Sequence, residues 1–122
     1  MIATDADTQR ITEIINLYFK GSYYGNTEQL KQAFHPEAHV TGSLNGKICD
    51  WTCTEFMARV TTMPTSANKG EKYDKEILLI DKTNDAAIVK ARVAVGDLVF
   101  TDYITLLKIN NQWMIRNKIF TN

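Results

Sequence analysis

The chain has 122 residues and a mass of 13.9 kDa, enough for one domain and too little for two of ordinary size, so residues 1–122 are expected to form a single domain. It is 44% hydrophobic and 23% charged with only six Gly and two Pro, which excludes a disordered or collagen-like chain. Fourteen Lys+Arg balance fourteen Asp+Glu, so neither a nucleic-acid surface nor a basic membrane patch is expected.

No apolar run reaches the roughly 18 to 20 residues of a membrane span. The start, Met1-Ile2-Ala3-Thr4-Asp5-Ala6-Asp7, lacks the basic and apolar regions of a signal peptide, and a cytoplasmic location is expected. Cys49 and Cys53 are too few for a disulfide framework and read as thiols.

Between Asp5 and Tyr24 the residues Ile11, Ile14, Ile15, Tyr18 and Ser22 recur at offsets of three and four, the stripe of an amphipathic helix. Gly25-Asn26 ends it, and Asn26 caps a short second helix from Thr27 to Ala33. Phe34 to Gly42 is expected to be extended, because Pro36 excludes His35 from helical geometry, and Ser43 to Gly46 reads as a turn. Thr52-Cys53-Thr54-Glu55 has the form of a capping box and opens a third helix that Pro64 ends near Thr62.

From Lys72 onward the pattern becomes that of strands: Lys72 to Ile80, Ala86 to Val95, Leu98 to Lys108 and Gln112 to Phe120. Helices followed by strands predict an α+β domain. Read as two-residue hairpin turns, Gly96-Asp97 and Asn110-Asn111 set a register in which Ala91 faces Asp102, Leu106 faces Ile115, Ile104 faces Asn117 and Asp102 faces Ile119. One face then carries Ala87, Val89, Ala91, Val93, Leu98, Phe100, Ile104, Leu106, Trp113, Ile115 and Ile119, with Asp102 and Asn117 as its polar members. The other carries Lys90, Arg92, Thr101, Tyr103, Thr105, Arg116, Lys118 and Phe120. For the first strand, either Ile77 and Leu79 or Leu78 and Ile80 point inward.

The order helix, helix, strand, helix and four-stranded meander resembles the nuclear transport factor 2-like superfamily. Tyr24-Gly25-Asn26, Ala33-Phe34-His35-Pro36-Glu37-Ala38, the run from Phe100 to Ile109 and the run from Trp113 to Phe120 are similar to the "putative lumazine-binding" family within it. The resemblance implies a cone in which three N-terminal helices pack on a curved, mainly antiparallel sheet, a fold shared with polyketide cyclase-like and ketosteroid isomerase-like proteins. It also implies a ligand-sized cavity and a dimer.

An ionised carboxylate on an apolar face is costly unless it has partners, so Asp102 is expected either to be a structural group held by hydrogen bonds or to floor a pocket with Asn117. Tyr18 lies on the helix stripe, where a phenol packs with its hydroxyl satisfied or points into a cavity as a donor. Tyr18 and Asp102 look like the oxyanion-hole pair of ketosteroid isomerase, whereas the place of that enzyme's general base falls at Gly42, which has no side chain to abstract a proton. His35 and His39 stand roughly 13 Å apart in extended chain at ~3.3 Å per residue, too far to share one ion, and no metal site is expected. His39 is a candidate acid or base, Cys53 a buried thiol, and Trp51 and Met57 either pack in the core or line the ligand.

The leading expectation is therefore a small-molecule-binding protein whose cavity suits a planar heteroaromatic ligand of the lumazine or pterin kind, lined by Tyr18, Trp51, Met57, Phe100, Asp102 and Asn117, with no cofactor. A rival is an isomerase or dehydratase that stabilises an enolate with Asp102 and Tyr18 and uses His39 as base. A third is a structural dimerisation module. A homodimer is expected through the outer sheet face, with Tyr103, Thr105, Met114, Arg116, Lys118 and Phe120 at the contact.

Overall fold

A computed structural model describes residues 5–122; residues 1–4, part of the segment read as carrying no leader, lie outside it. The elements are α1 (Ala6–Tyr24), α2 (Thr27–Ala33), β1 (Phe34–Leu44), β2 (Lys47–Thr52), α3 (Cys53–Thr62), β3 (Lys75–Thr83), β4 (Ala86–Val95), β5 (Leu98–Ile109) and β6 (Gln112–Thr121). Local signals place the helices. Asp5 caps α1 by accepting from Thr8 N, Asn26 caps α2 by accepting from Gln29 N, and Thr52 and Glu55 form both bonds of a capping box on α3. Gly25, at φ 69°, takes the left-handed position that ends α1.

The strands form one sheet in the order β2-β1-β6-β5-β4-β3, antiparallel at every contact except β1 with β6. The α+β expectation and its mainly antiparallel sheet hold. β2 had no counterpart in the expected order; it pairs with β1 across the tight turn Asn45-Gly46, where both residues have positive φ, so the strand runs through Ser43 to Leu44. Ile11, Ile14, Ile15, Tyr18 and Phe19 of α1 are buried in one core with Val89, Ala91, Ile104, Leu106 and Ile115 of the sheet.

The β4–β5 register is as read from the Gly96-Asp97 turn, with Ala91 opposite Asp102. The β5–β6 register starts as expected, Leu106 opposite Ile115, and then departs: Thr105 pairs with Asn117, so Arg116 is an extra residue on β6. This bulge inverts the rest of the strand. Ile104 faces Lys118 instead of Asn117, and Asp102 faces Phe120 instead of Ile119. Lys118 and Phe120 therefore leave the outer face and become buried, while Asn117 and Ile119 become exposed. A second bulge, between Ile77 and Leu79 on β3, puts Ile77 and Ile80 against the core and leaves Leu78 and Leu79 exposed, so neither strict alternation held.

Candidate functional site

Between the C-terminal part of α1, α3 and the sheet lies a cavity of about 380 Å³. α1 contributes Tyr18 and Ser22, β5 Phe100 and Asp102, β6 Lys118 and Phe120, β2 Trp51, and β3 Lys75. Phe56, Arg59 and Val60 of α3 close one side, and the exposed Met63, Pro64 and Lys69 frame the mouth.

At the deep end three buried polar side chains form a directed chain. Lys118 Nζ donates to Tyr18 Oη at 2.7 Å, and Tyr18 Oη donates to Asp102 Oδ2 at 2.6 Å. Lys118 Nζ lies 3.7 Å from Asp102 Oδ2. Because a phenol has one proton to give, this direction fits an ionised carboxylate, a neutral phenol and an amine donor. Burial, with the Asp102 charge and hydrogen bond beside it, holds the Tyr18 pKa well above its usual value and keeps the phenol neutral. Burial draws the Lys118 pKa down, opposed by the attraction of Asp102. The charge is thus offset within the core.

Aromatic rings make the walls. Trp51 stacks on Phe120 with centroids 5.9 Å apart and planes 11° from parallel, Phe100 meets the Phe120 edge at 5.7 Å, and the Arg59 guanidinium lies 4.9 Å from the Trp51 ring centre. A second amine, Lys75, lines the same space, and desolvation together with the Lys118 charge brings its pKa down to about 8.

Tyr18, Trp51, Phe100 and Asp102 are thus brought together around the cavity, and three other candidates are not. Asn117 lies on the opposite side of the sheet because of the Arg116 bulge. Met57 packs against the core and is absent from the lining. His39 is exposed on β1 with its Nδ1 3.6 Å from Asp50, away from the cavity, and the base that the isomerase reading needs is lost with it. Gly42 has a structural cause: a Cβ there would fall 2.5 Å from Cγ and Cδ1 of Phe120, so a side chain at the isomerase-base position would displace a cavity wall. His35 accepts from Glu37 N at 3.0 Å, fixing the chain at Pro36. Burial pushes the Cys53 thiol up, away from nucleophilic character.

The residues missed were Lys118, Phe120 and Lys75. The first two carry only an ambiguous sequence signal: Phe120 follows Ile115 by five residues, an odd step that turns it inward only if the strand gains one extra residue, whereas Ile119 keeps the alternation without one.

The family described as "Putative lumazine-binding" matches residues 6–121. The chain belongs to that family. Among curated proteins it is 24% identical over 119 residues to "Aldolase FrzH" of Cladobotryum sp., covering 96% of this chain and 92% of that one. Among solved structures it is similar to a nuclear transport factor 2-like protein of unknown function from Silicibacter pomeroyi, with TM-score 0.80, 17% identity and 98% of both chains covered. It is also similar to one from Methylobacillus flagellatus, with TM-score 0.79, 24% identity, and 98% of this chain and 94% of that one covered. These likenesses establish the nuclear transport factor 2-like fold, and fold and family together support a ligand-binding protein. Among the described residues no helix of this lumazine-binding family member is long and apolar enough to cross a membrane.

Proposed function

We propose that the cavity binds a planar, carbonyl-bearing heteroaromatic small molecule of the lumazine or pterin kind, and that residues 1–122 act as one domain in doing so. The observation that carries this reading is the Lys118–Tyr18–Asp102 chain at the deep end of an aromatic-walled cavity. The Lys118 ammonium has three protons, one of them given to Tyr18, and among the described residues Asp102 Oδ1 takes no hydrogen bond. A donor beside an acceptor complements the adjacent carbonyl and N–H of a lactam edge, while Trp51, Phe100 and Phe120 line the cavity with aromatic surface against which a planar ring packs. Titration calorimetry with lumazine and with its 1,3-dimethyl derivative tests this. Lumazine should bind, the derivative that lacks the ring N–H should bind at least about tenfold more weakly, and Asp102→Asn should remove that preference. Failure of both compounds to bind, or an unchanged preference in the variant, overturns the reading.

The likeness to an aldolase favours a second reading, in which the Lys118 ammonium, oriented by its hydrogen bond to Tyr18, stabilises an enolate oxygen in the same place. Turnover of a carbonyl donor that Tyr18→Phe and Lys118→Met both abolish would support it; activity unchanged in either variant would exclude it.

Assembly as a homodimer is part of the proposal. Tyr103, Thr105, Met114 and Arg116 remain on the outer face and are joined there by the exposed apolar groups Ile88, Leu107 and Ile119, while Lys118 and Phe120 withdraw from it.

A further inference from the structure

Three lysines line the cavity, and their surroundings differ. Lys69 stands at the exposed mouth, 3.8 Å from Glu71. Lys118 is committed to Tyr18 and Asp102. Lys75, one of the first residues of edge strand β3, is half-buried opposite Val93, and among the described residues its Nζ has neither a hydrogen bond nor a salt bridge. The Tyr73 ring lies 6.0 Å from Nζ to its centroid. An amine in that position loses water without gaining an anion in contact, and a second ammonium in the same cavity disfavours its protonation further.

We propose that Lys75 is a nucleophilic lysine that condenses reversibly with an aldehyde or ketone bound in this cavity. The proposal rests on the reading of the cavity as a site for carbonyl-bearing ligands and adds a covalent step to it. The neutral amine attacks the carbonyl carbon, forming the C–N bond as the π pair moves to oxygen. That oxygen takes up a proton and the nitrogen loses one, giving a carbinolamine. Protonation of its hydroxyl, for which the Lys118 ammonium in the same cavity is the available acid, releases water and leaves the iminium of Lys75. Amine and carbonyl are consumed, one water is formed, and no oxidant or reductant takes part.

Desolvation and the charge of Lys118 on β6 bring the Lys75 pKa down to about 8, against the attraction of Asp102 on β5, Glu71 and Asp74, so a minor fraction of the amine is free at neutral pH, more than for an ordinary lysine. Of the three cavity lysines, Lys75 is the one whose Nζ is not engaged by a carboxylate or hydroxyl among the described residues.

The test is reductive trapping with 2-naphthaldehyde and sodium cyanoborohydride, followed by intact mass and peptide mapping of wild type and Lys75→Arg. One adduct per chain is expected at Lys75, forming at least about tenfold faster than at any other lysine and missing from the variant, which keeps the charge. Labelling spread evenly over the lysines, or equal in Lys75→Arg, overturns the proposal. 2-Naphthoic acid, which has the same shape and cannot condense, is titrated in parallel against Trp fluorescence. If it binds while Lys75 stays unlabelled, the covalent step fails and the cavity reading stands; if it does not bind and Lys75 is unlabelled, both fail.

Discussion

Lys118 has exchanged water for Tyr18 and Asp102, and the energetics of that exchange are asymmetric. Removing one member of a buried pair leaves the other charge uncompensated, whereas removing both charges does not. Lys118→Met should destabilise the fold by about 3 kcal/mol, and adding Asp102→Asn should recover part of that loss. Urea unfolding of the single and double variants checks this; equal stability in the two would show that the charges are not coupled. Lys75 supplies a pH dependence of known sign. Its proton is held at about 8 in the fold against 10.5 ordinarily, so between those values the unfolded chain binds more protons and stability rises with pH. The same stability is lost as pH falls from 10.5 to about 8. Subtracting the urea midpoints of Lys75→Met from those of wild type across this window isolates the slope from Cys53 and Tyr18, whose raised values act in the opposite direction at alkaline pH. A flat difference would place Lys75 in water.

At the scale of elements, the bulge at Arg116 aims β6. Upstream of it Trp113 and Ile115 face the core, and downstream Lys118 and Phe120 do, so one extra residue delivers both an amine and an aromatic wall to the cavity. β1 runs alongside, with Gly42 paired to Phe120. Gly42→Ala should cost about 2 kcal/mol or displace the Phe120 ring, because neither the Phe120 carbonyl nor its ring leaves space for a methyl group. Thermal unfolding and the near-ultraviolet signal of Trp51 report the two outcomes; no change in either would contradict the close approach. Thr52→Ala removes the side-chain acceptor of the α3 capping box and should cost about 1 kcal/mol, read by the same unfolding curves.

At the scale of the whole molecule, the sheet has two unlike faces. The inner one is covered by α1 and lines the cavity, while the outer one leaves Ile88, Tyr103, Leu107 and Ile119 between 38% and 54% exposed. Such a strip is sheltered if two copies meet across it, and a two-fold contact repeats every substitution. Light scattering after size exclusion should give twice 13.9 kDa for wild type and a monomer for Tyr103→Glu. A wild-type monomer would remove the dimer, and a folded Tyr103→Glu dimer would move the contact elsewhere.

What the sequence determined by itself was local or periodic. The Asn26 and Thr52 caps, the stripe from Ile11 to Tyr18, and the pairing of Ala91 with Asp102 follow from interactions within a few residues or from alternation across one tight turn, and each is legible in one dimension. It also marked Tyr18 and Asp102 as polar groups on apolar faces, the two residues that meet at 2.6 Å. The third member of their chain was decided by tertiary structure. A bulge is one residue that the ladder does not pair, tolerated because the strand must bend around the helices, and that demand arises only when sheet and helix pack together. It sent Asn117 outward and Lys118 inward, exchanging an expected amide for a cation at the deep end of the cavity. Lys75 was settled in the same way: its proximity to Lys118 spans the sheet from edge strand β3 to β6, a relation that exists only once the strands have been placed in order.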